Sequence, residues 1–491
     1  MAQDVVLDSC RPPEGVPEWL VRKHCAFPFA REGGVLRLAV AVPRVEVLDD
    51  FALATGCRVE AEVFAEEEIR QAIRRWYGTP EVERAVAAAS SAEDEGEEEV
   101  TEPDAPVVRL VDGLISQAVS DGASDVHITP ERDRTVVRFR IDGVLRDVAE
   151  IPRKVHQAVV TRVKVMAGLD IAERRLPQDG RIRLREPGRV DLRVSVLPTV
   201  RGEQVVMRVL DQARVVPDLE TLGYGERELS LIRKAVAAPY GLVLLTGPTG
   251  SGKTTTLYAA LKEVVSRERS VITVEDPPEY DMPGVSQVAV NPKAGLTFAA
   301  ALRAILRQDP DVVMVGEIRD PETARIAVQA AMTGHLVLST MHTNDAASAP
   351  VRLADMGVEP YLVASCLLCV AAQRLLRLVC PRCAEEYELP PDAPERVVLG
   401  LDSGPVAVRR GRGCPSCGRT GYRGRTAVAE VMFTDRGLRE LIRRGAPAEA
   451  LRDLAVSSGM VPLKQAALEK LLSGATTVQE VVRVVCSPLA E

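Results

Sequence analysis

The eight residues Gly247-Pro248-Thr249-Gly250-Ser251-Gly252-Lys253-Thr254 constrain this chain more than any other segment. They satisfy G-x-x-x-x-G-K-[ST] in full. They follow an apolar run, Leu242-Val243-Leu244-Leu245, and precede a helix-like run from Thr255 to Val265. That is the strand–loop–helix setting the motif requires. The glycines let successive backbone N–H groups turn inward into an anion nest, and a helix N-terminus adds partial positive charge. In such a loop Lys253 reaches the β- and γ-phosphates of ATP, the Thr254 hydroxyl ligates Mg²⁺, and Thr255 follows in the first helical turn. The competing reading, a chance glycine-rich turn, is hard to reconcile with a full match in the right context.

A phosphate loop alone does not hydrolyse ATP; it needs a carboxylate to organise Mg²⁺ and another to place water. From about residue 220, apolar runs (Gly241–Leu245, Val271–Val274, Val312–Val315, Leu336–Ser339) alternate with helical stretches, which predicts buried parallel strands in an α/β domain. Two of these runs lead into acids: Val271–Val274 into Glu275-Asp276, and Val312–Val315 into Gly316-Glu317. Strand ends are where open α/β sheets bind ligands, so Glu275 and Glu317 are the candidate catalytic carboxylates. Either one alone would read as a solvated loop acid. Two of the five histidines, His335 and His342, bracket the run Leu336–Met341. Spacing leaves open whether they are structural or sense the γ-phosphate.

The rest of the 491 residues bounds the class of protein. With 46% apolar and 27% charged residues, the chain is neither disordered, collagenous nor a small disulfide scaffold. No run approaches the ~20 apolar residues that span a bilayer, and the start lacks a basic then apolar secretory pattern. A cytoplasmic location follows, with the cysteines reduced or metal-bound. Residues 1–80 read as a small α/β domain that carries no motif. The run Glu93-Asp94-Glu95-Gly96-Glu97-Glu98-Glu99 marks residues 81–106 as a self-repelling linker. Residues 107–215 read as a second α+β domain, with a helix near 107–122 and a hairpin turned at Asp142-Gly143. Residues 216–491 form the phosphate-loop domain, with 436–485 mostly helical. The net charge of −8 hides a segment, 131–214, with 19 basic and 12 acidic residues, 17 of them arginine. Such a segment fits a solvated face, a phosphate-facing surface or a nucleic-acid site; only 3% aromatic residues leaves few stacking platforms for the last.

Cys380-Pro381-Arg382-Cys383 and Cys414-Pro415-Ser416-Cys417 form two C-x-x-C pairs. Four thiolates suit a closed, structural Zn²⁺ site, with no position left for a catalytic water. A redox pair is the alternative. The remaining six cysteines (10, 25, 57, 366, 369 and 486) read as buried small apolar residues.

With these segments in place the chain resembles the type II/type IV secretion ATPases, most of all the general secretion pathway E ATPases of type II secretion, with the type IV pilus extension ATPases next. Four boxes match in order: the phosphate loop; Ile272-Thr273-Val274-Glu275-Asp276-Pro277; Leu306 through Gly316-Glu317-Ile318-Arg319-Asp320; and Thr333-Gly334-His335 through Thr340-Met341-His342-Thr343. Upstream, Ala123-Ser124-Asp125-Val126-His127-Ile128, Arg140-Ile141-Asp142-Gly143 and Arg175 through Arg181 extend the likeness over roughly 105–485. The resemblance implies a RecA-like P-loop ATPase domain preceded by smaller α+β domains, the second PAS-like, with a tetracysteine zinc module over 376–425. It implies a homohexameric motor using ATP with Mg²⁺, in which Glu275 activates water, Glu317 stands near Mg²⁺, the two histidines lie at the nucleotide, and Arg193 and Arg208 are donated to it. It also implies peripheral attachment to the inner membrane through secretion or pilus platform proteins, with residues 1–80 as the docking domain. Pro278 stands where a β-branched residue is usual, which stiffens the loop after Glu275; Met341 replaces a usual leucine.

Three functions compete at this point: a secretion motor, a nucleic-acid-dependent ATPase and a nucleotide switch without force. The acidic pI of about 5.5 weighs against the second, and the paired carboxylates with candidate arginine fingers weigh against the third. Type II secretion and pilus extension share every box; a moderate length with one short N-terminal domain tilts the expectation toward type II.

Overall fold

The computed structural model describes residues 7, 12–13, 16–77, 106–184, 190–211, 216–401 and 404–486. The acidic linker, apart from Pro106, lies outside them, as does Cys10. The chain divides into two compact units, Met1–Asp211 with Arg412–Gly421, and Gln212–Gly411 with Tyr422–Glu491.

The first unit contains two sheets. The smaller has β1 (Phe27–Glu32), β2 (Val35–Val40) and β3 (Arg58–Val63), antiparallel then parallel, with α1 (Glu18–His24), α2 (Val45–Thr55) and α3 (Glu66–Tyr77). Leu20, Phe27, Leu36, Leu38, Phe51 and Ile69 close its core. The larger sheet runs β6-β5-β4-β9-β8-β7 and is antiparallel throughout. Its strands are β4 (Asp125–Pro130), β5 (Arg134–Ile141), β6 (Val144–Pro152), β7 (Gln178–Leu184), β8 (Val190–Thr199) and β9 (Gly202–Asp211), and two helices, α4 (Pro106–Ser120) and α5 (His156–Ala167), pack on it. Asp142 and Gly143 turn β5 into β6 with φ of 50° and 82°, the paired positive values a two-residue hairpin needs. Along β8, Leu192, Val194 and Val196 enter the core while Asp191, Arg193 and Ser195 face away, the period of two that pleating dictates. Among the described residues of this unit, Lys164 and Glu203 form a buried ion pair, with Nζ 2.6 Å from Oε1.

The second unit is built on a seven-stranded sheet ordered β12-β11-β13-β14-β10-β15-β18. β10 (Gly241–Thr246), β11 (Val271–Glu275), β13 (Val312–Val315) and β14 (Leu336–Met341) are buried at every residue, as strands covered on both faces must be. β12 (Ser286–Ala289) and β15 (Leu367–Val379) extend the parallel set, and β18 (Tyr422–Phe433) adds antiparallel to β15. Around the sheet lie α6 (Glu226–Val236), α7 (Lys253–Val264), α8 (Phe298–Ile305), α9 (Pro321–Met332), α10 (Ser348–Asp355) and α11 (Pro360–Cys366). β16 (Ala384–Glu388) and β17 (Ala407–Gly411) form a hairpin that contains α12 (Pro394–Leu399). Four helices, α13 (Arg436–Arg443), α14 (Ala448–Ser457), α15 (Leu463–Leu472) and α16 (Val478–Val485), end the described chain.

Cys57, Cys366 and Cys369 are buried as small apolar residues, and burial pushes the last two thiols up to about 12. Cys25 and Cys486 depart from that expectation, being half-buried.

Candidate active site

The phosphate loop joins the C-terminal end of β10 to α7, with Lys253 the first helical residue. Two of its glycines are required by geometry. At Gly247 φ is 142° and an added Cβ would meet the Gln373 carbonyl oxygen at 2.5 Å; at Gly252 φ is 83° and a Cβ would meet Gln373 Nε2 at 2.9 Å. Thr246 Oγ1 accepts from the N–H of Thr343 at 2.7 Å, which ties the end of β10 to the loop after β14. Pro248, Thr249 and Gly250 form the crest, Thr254 and Thr255 sit in the first turn of α7.

Inside this loop Lys253 is buried and donates to the carbonyl oxygens of Gly247 (2.7 Å) and Pro248 (3.0 Å). Burial lowers its pKa to about 8, Glu317 opposes that shift and Arg374 adds to it. The Ser251 hydroxyl is buried without a hydrogen-bond partner, a cost that a bound phosphate oxygen would remove. A buried ammonium, an orphaned hydroxyl and a helix N-terminus together fit a polyphosphate.

Glu317 lies two residues beyond β13, and its Oε2 accepts from Arg319 and stands 3.6 Å from His342 Nε2. Thr340 Oγ1 donates to the Gly316 carbonyl oxygen at 2.7 Å and fixes that turn. The neighbouring acids are structural: Asp320 caps α9 through Thr323 N at 2.8 Å, and Asp311 accepts from Ser270 N at 2.7 Å. Glu275 ends β11 and is buried, accepting from Thr273 Oγ1 (2.6 Å), Gln287 Nε2 (3.2 Å) and Tyr258 Oη.

Glu275, Glu317, His342 and the phosphate loop therefore share the C-terminal edge of the parallel sheet. His335 does not join them within one chain. It precedes β14, its Nδ1 lies 3.0 Å from the Ala330 carbonyl oxygen, and its own carbonyl accepts from Gly241 N at the start of β10. Parallel strands place all their N-terminal ends on one edge, so the two histidines sit at opposite ends of β14.

Two residues beside the loop were not foreseen. Gln373 Nε2 donates to the Ser251 carbonyl oxygen at 2.7 Å, and its Oε1 accepts from Thr256 at 3.0 Å. Arg374 is buried and donates to the carbonyl oxygens of Gln373 (3.1 Å) and Asn344 (3.0 Å), and burial holds its pKa below the usual value. The signal was present: two adjacent polar residues interrupt the apolar run Leu367–Val379.

In the first unit, Arg193 and Arg208 are direct cross-strand partners. The register continues the row in both directions, from Arg193 to Arg181 and from Arg208 through Asp125 to Arg140. Asp125 anchors Arg208 Nε at 3.1 Å and Arg140 Nε at 3.5 Å. Like charges placed directly opposite destabilise a sheet, and Asp125 offsets part of that cost between Arg208 and Arg140.

The thiols of Cys380, Cys383, Cys414 and Cys417 lie within 4.8 Å of one another. Cys414 and Cys417 Sγ are 3.7 Å apart, and a tetrahedron with Zn–S bonds of about 2.3 Å has edges of about 3.8 Å. The Cys417 sulfur also accepts from the N–H groups of Cys414 (3.1 Å) and Gly421 (3.3 Å), which favours a thiolate. The donor set and spacing are compatible with zinc.

The profile of the family described as Type II/IV secretion system protein matches residues 100–483, and that of the MshEN domain matches residues 3–83, where no motif had been legible. Type II secretion system protein E of Pseudomonas aeruginosa is 45% identical over 488 residues, covering 94% of this chain and 96% of its own. The type IV pilus assembly ATPase PilB of Thermus thermophilus is 44% identical over 481 residues, 95% of this chain; the chain spans 54% of that protein. Among solved structures, the pilus retraction motor PilT with bound ADP is 25% identical with a TM-score of 0.52, covering 76% of this chain and 96% of its own.

Proposed function

The chain belongs to the type II/IV secretion system protein family, and on that premise we propose that it is an ATPase motor that hydrolyses ATP to drive pseudopilus assembly and protein export by type II secretion. The observation that carries the enzymatic reading is the phosphate loop itself, with a buried Lys253 on the same sheet edge as Glu317. Residues Gly247–Thr255 hold the triphosphate, and Lys253 exchanges its loop carbonyls for β- and γ-phosphate oxygens. The Thr254 hydroxyl and Glu317 would hold Mg²⁺, which supplies charge neutralisation when bound. His342 and Arg319 orient Glu317. Glu275 places the attacking water. No phosphate contact within one chain is assigned to His335.

Arg193 and Arg208 are arginine fingers donated within a homohexamer, where planar guanidinium groups neutralise charge on the transferred phosphoryl. The four cysteines hold structural zinc over residues 376–425. Residues 1–80 dock the motor on inner-membrane platform proteins from the cytoplasmic side, and 107–215 is the arginine-donating domain. Among the described residues no helix is long and apolar enough to cross a membrane. Assembly of a type IV pilus is the second reading, favoured by the 44% identity to a pilus assembly ATPase.

Turnover per chain over a dilution series tests the motor. Donated arginines require turnover to rise with protein concentration; turnover unchanged by dilution would contradict them.

A further inference from the structure

We infer that Tyr258 and Gln287 are positioning residues for Glu275: with Thr273 they fix its carboxylate so that a single acceptor direction remains for water. The inference rests on the assignment of Glu275 as the water-placing carboxylate.

Tyr258 is fully buried, its ring edge-on to Tyr280 at 4.9 Å and 63°. A phenylalanine would fill that volume equally well; what the tyrosine adds is a hydroxyl where only a satisfied one is tolerated. That hydroxyl donates to Glu275 Oε2 and accepts from Glu279 N at 3.2 Å, and one Gln287 Nε2 proton is shared between it (3.3 Å) and Glu275 Oε1 (3.2 Å). Burial and the neighbouring Glu275 raise the phenol pKa, so it stays a donor at working pH. Gln287 is held in turn: its Oε1 accepts from Met282 N at 3.0 Å and its Nε2 donates to the Tyr280 carbonyl oxygen at 2.9 Å.

A carboxylate offers about four acceptor directions. On Glu275, Oε1 uses two, for Thr273 and Gln287, and Oε2 uses one, for Tyr258. The remaining direction is on Oε2. Rotation of the carboxylate would break three hydrogen bonds at once, so the water site is set by its supports rather than by Glu275 alone. Tyr258 also lies on α7, the helix that Lys253 opens. One rigid element thus joins the group that grips phosphate to the group that aims the water.

The test is steady-state hydrolysis of Mg-ATP by the full chain, with thermal midpoints measured alongside, for Tyr258→Phe, Gln287→Ala and Glu275→Gln. The two positioning variants should lose about tenfold or more in kcat with KM for ATP unchanged, the pattern of an interaction used only in the transition state. Gln287→Ala, on the half-exposed strand β12, keeps the test open if Tyr258→Phe does not fold. A shifted thermal midpoint with normal kcat in both variants, while Glu275→Gln is inactive, would overturn the inference and leave the role of Glu275 standing. Normal turnover in Glu275→Gln would instead remove the role of Glu275, and the inference with it.

Discussion

Lys253 Nζ lies 2.7 Å from the carbonyl oxygen of Gly247, six residues earlier in the same loop. The ammonium meant for phosphate is thus held by the loop it serves, and burial brings its pKa to about 8. Phosphate favours the charged form, so nucleotide binding draws in a proton once the free lysine begins to lose one. Affinity for Mg-ADP should be steady below about pH 7 and weaken above about pH 8, approaching tenfold per unit. Calorimetric titration across that range checks it; a constant affinity up to about pH 9.5 would contradict it.

Lys164 and Glu203 form a buried pair at 2.6 Å, their side chains 1% and 4% exposed. Removing one partner leaves a buried charge uncompensated, so Lys164→Met should cost about 3–5 kcal/mol. Lys164→Met with Glu203→Leu should recover most of that loss, because no charge is then stranded. Denaturant unfolding of the two variants gives the comparison.

Metal analysis of the chain purified in reducing buffer should find about one zinc per chain, and Cys414→Ser should lose it along with thermal stability. A metal-free protein with an unchanged melting profile would count against the assignment.

Arg208→Ala should cut kcat by about 10³-fold or more while leaving ATP affinity intact, as loss of an arginine finger does. Arg208→Lys should restore little, because an ammonium cannot reproduce the planar fork. Equal turnover in the lysine variant would reduce Arg208 to a surface charge.

Local chemistry was legible in the sequence, and register was not. The phosphate loop, the acids at the ends of β11 and β13 and the four cysteines each declare themselves by short spacing. The strands β10, β11, β13 and β14 are buried on both faces, so their apolar runs are continuous. β15 and β18 escaped because their patterns are broken by Gln373, Arg374, Thr426 and Glu430, all buried. Gln373 and Arg374 support the phosphate loop and the segment after β14, and Glu430 answers backbone groups, accepting from Ala346 N at 2.8 Å and Leu463 N at 3.1 Å. The run between His335 and His342 was legible as a strand, and the parallel pairing of β14 leaves only His342 on the edge that carries the phosphate loop. The row from Arg140 to Arg181 spans five strands, and only pairing register reveals it. Tyr258 fell in a helix-like run and Gln287 in no predicted element until the fold placed both on Glu275.

Glu317→Gln against the unaltered chain is the most direct test of the central claim, that this phosphate loop and its carboxylates hydrolyse ATP. The variant should still bind Mg-ATP and release almost no phosphate. Phosphate release at the rate of the unaltered chain would contradict it.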